Sequence, residues 1–327
     1  EANFLRRFLF NKAYESKIAS IKNQSEANAI WEKLVFSKIK DKFGGRIKAC
    51  VSGSAPLSAT LANFLKACFC DVVVEGYGLT ETSAAGTGTD SDDSLYGQVG
   101  AVVSAVEMKL VDVEDMNYTI NDEPLPRGEI WFRGPALFSG YYRMKEKTEE
   151  VLNKDGWFAT GDIGQWRLDG KLQIVDRKKN IFKLAQGEYI RPDFIENVYK
   201  LSPLVGNIFV HGDSDQTYLV AVVYPDMEVF ASTWCKQNGL GHISGNPAEI
   251  IKHDKVKQAI RMDMERIAKQ EALTGFEKVK RIHLVDADFT IDNGLLTSTM
   301  KLKRNVARQR FQSAIKQMYA QAAPSKL

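Results

Sequence analysis

The chain has 327 residues, 44% of them hydrophobic, which suffices for two domains with a sizeable core. Its 44 Lys and Arg nearly cancel 41 Asp and Glu, a net charge of +3 that argues against a uniformly basic, nucleic-acid-binding surface. No stretch approaches the roughly 20 consecutive apolar residues of a membrane-spanning helix, and Glu1-Ala2-Asn3-Phe4 lacks the charged-then-apolar pattern of a signal peptide.

Residues 4 to 42 show helical periodicity in two stretches. Because the first residue is Glu, inside such a stretch, a segment N-terminal to Glu1 is expected. The run RIKACVSGSAPLS, Arg46 to Ser58, reads as a buried strand, a small-residue turn and a helix opening at Ser58. That helix continues through Leu61, Phe64 and Leu65 into a strand at Val72-Val73-Val74. Strand, turn, helix, strand predicts an α/β fold, in which ligands bind beyond the carboxyl ends of strands. From Tyr96 to Asp176 short strands alternate with glycine and proline turns, as in Val106 to Val111, Gly128 to Phe132 and Lys171 to Val175, predicting a small β-barrel-like unit. Beyond lie strands at Gly206 to His211 and Tyr218 to Tyr224, and long helices near Pro247 to Leu273 and Val306 to Tyr319. The expected organisation is mixed α/β over 1–95, β-rich over 96–176 and a smaller α+β domain over 177–327. Cys50, Cys68, Cys70 and Cys235 have no framework spacing, which fits a reducing compartment, and Cys68-Phe69-Cys70 is too tight for a zinc site.

The stretch EGYGLTET, Glu75 to Thr82, follows the Val72 strand with two glycines, a ring, two hydroxyls and two carboxylates. Glycine admits close backbone approach, Tyr77 offers a face for a purine, Thr80 a hydroxyl for a phosphate and Glu81 a hard oxygen for Mg²⁺. A glycine turn with a threonine cap at Thr80 or Thr82 explains the same residues equally well. In GWFATGD, Asp162 is a short carboxylate on a tight turn, suited to ribose hydroxyls or to an ordinary turn. The run Asp176-Arg177-Lys178-Lys179-Asn180 would ordinarily be a solvated face, but Gly187 and Tyr189 follow closely. In LTSTMKLKR, Leu296 to Arg304, cations open a helix against its dipole, which calls for an anionic ligand or a basic surface patch. No complete G-x-x-x-x-G-K-[ST] loop and no G-x-S-x-G elbow occurs.

Together and in this order, VSGSAPLS, EGYGLTET, GWFATGD, IVDRKKNIFKLAQGEYIRP and LLTSTMKLKR resemble the adenylate-forming superfamily, and DRKKNIFKLAQGEYI with PLVGNIFVHGDS resembles eukaryotic long-chain fatty acyl-CoA synthetases. The resemblance runs from about Leu9 to Tyr319. It implies a fatty acid, ATP and coenzyme A as substrates, Mg²⁺ on Glu81, and an acyl-AMP intermediate. Tyr77 would stack on adenine, Thr80 would contact the α-phosphate, and Asp162 supported by Arg177 would bind the ribose. Gly53, Ser54, Ala55, Gly76, Gly78, Lys179, Lys183 and Gly187 complete the implied cofactor contacts. Lys301 would stabilise charge during adenylation, with Lys303 as the alternative. The residues from 177 on would be a mobile lid pivoting at Lys179. The chain departs from the family at Met300, where glycine is usual, and in the Ser/Thr/Gly-rich phosphate loop, which would lie N-terminal to Glu1.

Ser325-Lys326-Leu327 matches the address read by the peroxisomal import receptor, predicting a peroxisomal location. Peripheral membrane contact is compatible with the sequence. Two other readings compete: an AMP-binding or interaction module without turnover, and an RNA-binding protein using Arg177 to Lys183 and Lys301 to Arg310. The second lacks aromatic platforms beyond Phe182 and Phe311.

Overall fold

The computed structural model describes residues 2–23, 25–26, 28–54, 57–91, 93 and 96–321. The chain divides into two compact units, Glu1–Val175 and Asp176–Leu327.

In the first unit, helix α1 (Ala2–Lys22) and the helical run from Ala29 to Lys42 close over α2 (Ala59–Cys68). Ala13, Phe36, Ala67 and Cys68 are buried in that contact. Lys17 joins the layers through ion pairs to Glu32 at 2.7 Å and Asp71 at 3.3 Å. Strand β1 (Ala49–Ser52) runs parallel to β2 (Val72–Tyr77), from Ala49 opposite Val72 to Ser52 opposite Glu75. The hydroxyl of Ser58 accepts the Leu61 amide and starts α2, so the expected strand–helix–strand unit forms. β1 departs from the buried strand expected: it is the sheet's edge, and Val51 is 79% exposed. An apolar side chain on an edge strand with neighbours on one side only is not carried inside by its own hydrophobicity. Short strands β3 (Thr87–Gly88) and β4 (Ala101–Val102) complete the sheet.

A second sheet consists of β5 (Glu107–Val111), β6 (Arg127–Arg133), β7 (Phe158–Trp166) and β8 (Leu172–Arg177), in that order. β6 alternates strictly, with Ile130 and Phe132 pointing into a core shared with Leu110, Val106 and Leu172. This sheet is open, with β5 and β8 as its edges, rather than the barrel-like unit expected. A barrel needs its first and last strands to pair, and here β5 and β8 do not, so the apolar face is covered instead by the segments bearing Tyr77, Leu79 and Val102.

The second unit begins with the hairpin β9 (Phe182–Lys183) and β10 (Tyr189–Ile190) and helix α3 (Pro192–Tyr199). Its sheet has β12 (Leu219–Pro225) at the centre, antiparallel to β11 (Val205–His211) and parallel to β13 (Val279–Leu284). Alternate residues of β12 feed two cores. Leu219, Ala221 and Val223 face α3 and the long α4 (Asp254–Gln270), while Val220 and Val222 face α5 (Arg304–Arg310) and α6 (Gln312–Ala320). Helices on both faces explain why β12 is almost uninterruptedly apolar.

Candidate functional site

In the first unit the expected residues gather at the carboxyl ends of β1 and β2. A Cβ on Gly53 would stand 3.5 Å from the Gly76 carbonyl, so the SGSAP turn lies against EGYGLTET. Ser54 has a left-handed φ of 69°, and Ala55 lies outside the described residues. The turn is tethered by Glu75, whose buried carboxylate accepts the Leu57 amide at 3.0 Å. Burial raises the Glu75 pKa, so this carboxyl has a structural task that motif reading did not assign. Gly78 also has a reason other than ligand approach, because a Cβ there would sit 2.3 Å from the Ala84 carbonyl.

The two threonines of the motif divide its alternative readings. Thr82 is fully buried and accepts the Leu79 amide at 3.0 Å, which is the capping role. Thr80 is exposed, one residue before Glu81. Tyr77 emerges from β2 with its ring 6.0 Å from that of Phe132 and donates its hydroxyl to Asp162 Oδ2 at 2.7 Å, across 85 residues of sequence. Asp162 is 4% exposed on β7. Asp162 thus lies within a strand rather than on the tight turn expected. Gly161, whose left-handed φ of 71° suits glycine and whose amide donates to Glu129, kinks β7 where its register with β6 shifts, and the Thr160 hydroxyl donates to the Ile130 carbonyl. A flat ring and a carboxylate joined at a strand end are what an adenosine would use.

Glu81 is held twice. Its carbonyl accepts the Phe138 amide at 2.8 Å and its Oε1 accepts the Tyr141 hydroxyl at 2.8 Å. Tyr141 was missed by motif reading, since nothing local links it to Glu81. Burial, then the bond to Glu81, pushes its pKa up to about 12, so the phenol stays a donor. Among the described residues no cluster of three or more His, Cys, Asp or Glu could cage a metal alone. A single positioned carboxylate suits Mg²⁺ that brings substrate phosphates and water as its other ligands.

The remaining expected residues belong to the second unit. Arg177 ends β8, and Lys179 is exposed in the following turn, which closes when Asn180 and Ile181 donate to the Arg177 carbonyl. The Lys183 ammonium lies 5.0 Å over the Tyr189 ring, and Gly187, at φ 94°, makes the β9–β10 turn. Lys301 closes a small loop: its carbonyl accepts the Thr297 amide at 2.8 Å and its amide donates to the Thr297 hydroxyl at 3.0 Å. Met300, at the tip, has a left-handed φ of 62°. The backbone there suits glycine, the residue type usual at this position of the family pattern. Lys303 instead precedes α5 and donates its amide to the Leu295 carbonyl.

Next to these residues lies a buried ionic cluster. Arg304 binds Asp193, and binds Glu196 Oε2 at 2.6 Å, while Glu196 Oε1 accepts the Val210 amide at 2.7 Å. Asp176 is 5% exposed, and its Oδ1 accepts the Arg177 amide. Desolvation, then the Asp193 charge, raises the pKa of Asp176 to about 7, and desolvation raises that of Glu196 to about 7.

With this geometry in view, residues 17–142 match the family described as AMP-binding enzyme. Among curated proteins it is similar to the peroxisomal long chain acyl-CoA synthetase 6 of Arabidopsis thaliana, 49% identical over 98% of this chain and 45% of the relative. It is 44% identical to human long-chain-fatty-acid--CoA ligase 1, over 97% of this chain and 44% of the relative. The chain thus spans about half the length of the curated relatives it matches. Its fold resembles the A domain of carboxylic acid reductase from Segniliparus rugosus, solved with AMP and a co-purified carboxylic acid, at a TM-score of 0.73 and 29% identity over 97% of this chain and 46% of that one.

Proposed function

We propose that this chain serves an ATP-dependent, AMP-forming long-chain fatty acid-CoA ligase. The observation that carries the reading is the 2.7 Å bond between the Tyr77 hydroxyl and Asp162, which unites a purine platform and a ribose acceptor at a strand end. A carboxylate is a poor electrophile; transfer to AMP with loss of pyrophosphate supplies a leaving group, which the coenzyme A thiol then displaces to give the thioester. In this scheme Tyr77 stacks on adenine, Asp162 binds the ribose hydroxyls with support from Arg177, and exposed Thr80 meets the α-phosphate. Gly53, Ser54, Gly76 and Gly78 form the floor under the nucleotide. Glu81 would hold Mg²⁺, whose charge neutralises phosphate oxygens. Lys301 stabilises the negative charge that develops on adenylation. Lys179, Lys183 and Gly187 belong to the segment that moves between the two half-reactions and serves the thiol step.

Isothermal titration should show AMP binding that falls at least tenfold in Asp162→Ala and Tyr77→Ala. Unchanged affinity in both variants would overturn the site. Ser325-Lys326-Leu327, outside the described residues, and the peroxisomal relative support import by a peroxisomal receptor. A fatty acid substrate that partitions into bilayers favours peripheral membrane contact.

A further inference from the structure

A cavity of about 940 Å³ in the second unit is none of the places used above. It is a groove between α4 and β13, with Tyr199, Val279 and Ile282 along its apolar base. β13 is the last strand of its three-stranded sheet, so one edge of its backbone has no strand partner among the described residues. The Tyr199 hydroxyl accepts the Val279 amide at 2.9 Å and closes the groove at one end.

The groove has one carboxylate at the start of α4, Asp254, besides Glu265 farther along, and the cations around it are of two kinds. Arg266 is paired with Asp263, and Lys269 and Lys278 with Glu265. Lys257 and Arg261, which line the groove together with Lys280 of β13, have no carboxylate partner among the described residues. The Lys257 charge, after burial, helps to lower the pKa of His283 on the same strand, which marks a positive potential beside β13. Lys280 alone would be explained as a charge that protects a sheet edge from aggregation. Two further cations facing the same edge from a helix are not needed for that purpose.

Spacing narrows the occupant. Lys257 and Arg261 are one helical turn apart, ~6 Å along the axis, close to the ~6.6 Å between alternate residues of an extended strand. The 17 residues of α4 run for ~25 Å, the length of a strand of about seven or eight residues. A peptide with acidic side chains at alternate positions would match these cations while its backbone pairs with β13, as in recognition by strand addition. We propose that the α4–β13 groove receives an extended acidic segment of a partner protein as a fourth strand of this sheet.

The test is fluorescence anisotropy with a fluorescein-labelled octapeptide of alternating Glu and Val. Saturable binding is expected, weakened at least tenfold by Lys257→Glu with Arg261→Glu and also by raising salt from 0.1 to 0.5 M. Methylating alternate peptide amides in the two possible registers should abolish binding in one and spare it in the other. Both substituted side chains are exposed, so unchanged circular dichroism will show that the variant folds. Equal binding of a Lys-Val octapeptide, or insensitivity to methylation in both registers, overturns the proposal. So does binding to phosphatidylserine vesicles without peptide binding, which would assign the cations to lipid, or self-association lost on charge reversal, which would assign the groove to a second copy.

Discussion

Tyr141 acts on Glu81 through one hydroxyl, so Tyr141→Phe isolates that bond. Its loss should lower stability by about 1 kcal/mol, read from the urea midpoint, and should weaken Mg²⁺-dependent ATP binding more than metal-free AMP binding. Equal losses in both would mean that the tyrosine only supports the loop. At Met300 the backbone adopts a left-handed φ of 62°, which costs a non-glycine residue roughly 1 kcal/mol or more. Met300→Gly relieves that strain, partly offset by the added freedom of the unfolded chain, so a gain of about 0.5 kcal/mol is expected in thermal unfolding. Residue types were legible where chemistry is local, as in the glycines and hydroxyls of EGYGLTET. Their division of labour was not, because Thr82 caps while Thr80 stays exposed only once the turn has closed. Glu75 and Tyr141 find partners 18 and 60 residues away, which no local pattern encodes.

Elements followed the periodicity of apolar residues wherever burial was settled within the element itself. The β12 strand reads as apolar throughout because α4 and α6 cover its opposite faces, and β6 alternates because it has one buried face. β1 is equally apolar yet remains exposed, since burial there depends on what lies beside it. The ionic cluster of Asp176, Asp193, Glu196 and Arg304, with Lys200 also near Glu196, joins β8, α3 and the start of α5. Asp176 and Glu196 have ordinary values of 3.8 and 4.5, both raised in the fold to about 7. The folded state therefore holds protons more tightly than the unfolded one. Stability from this source is fully present below about pH 4 and is lost as pH rises through about 7. Scanning calorimetry should show the second unit melting lower at pH 8 than at pH 5.5 from this cluster, and Asp176→Asn should reduce the difference. A difference of equal size in Asp176→Asn would assign the pH dependence to other groups.

Across the whole molecule, similarity to long-chain synthetases extends over nearly all of the chain, and the α/β class was legible from the order strand, helix, strand. The proposed import through Ser325-Lys326-Leu327 belongs to this scale, because an address would act on the entire polypeptide. Removing Leu327 from a tagged protein should leave it in the cytosol, as seen by fluorescence microscopy; continued peroxisomal import would remove that support. The bond between Tyr77 and Asp162 carries a practical consequence for anyone reshaping nucleotide selectivity. Phenylalanine or tryptophan at position 77 would keep an aromatic surface yet withdraw the hydroxyl that steadies the acid, so in the proposed nucleotide site each single replacement would change base and sugar recognition at once. Mutant libraries aimed at this pocket should diversify both positions jointly, because their effects will not be additive.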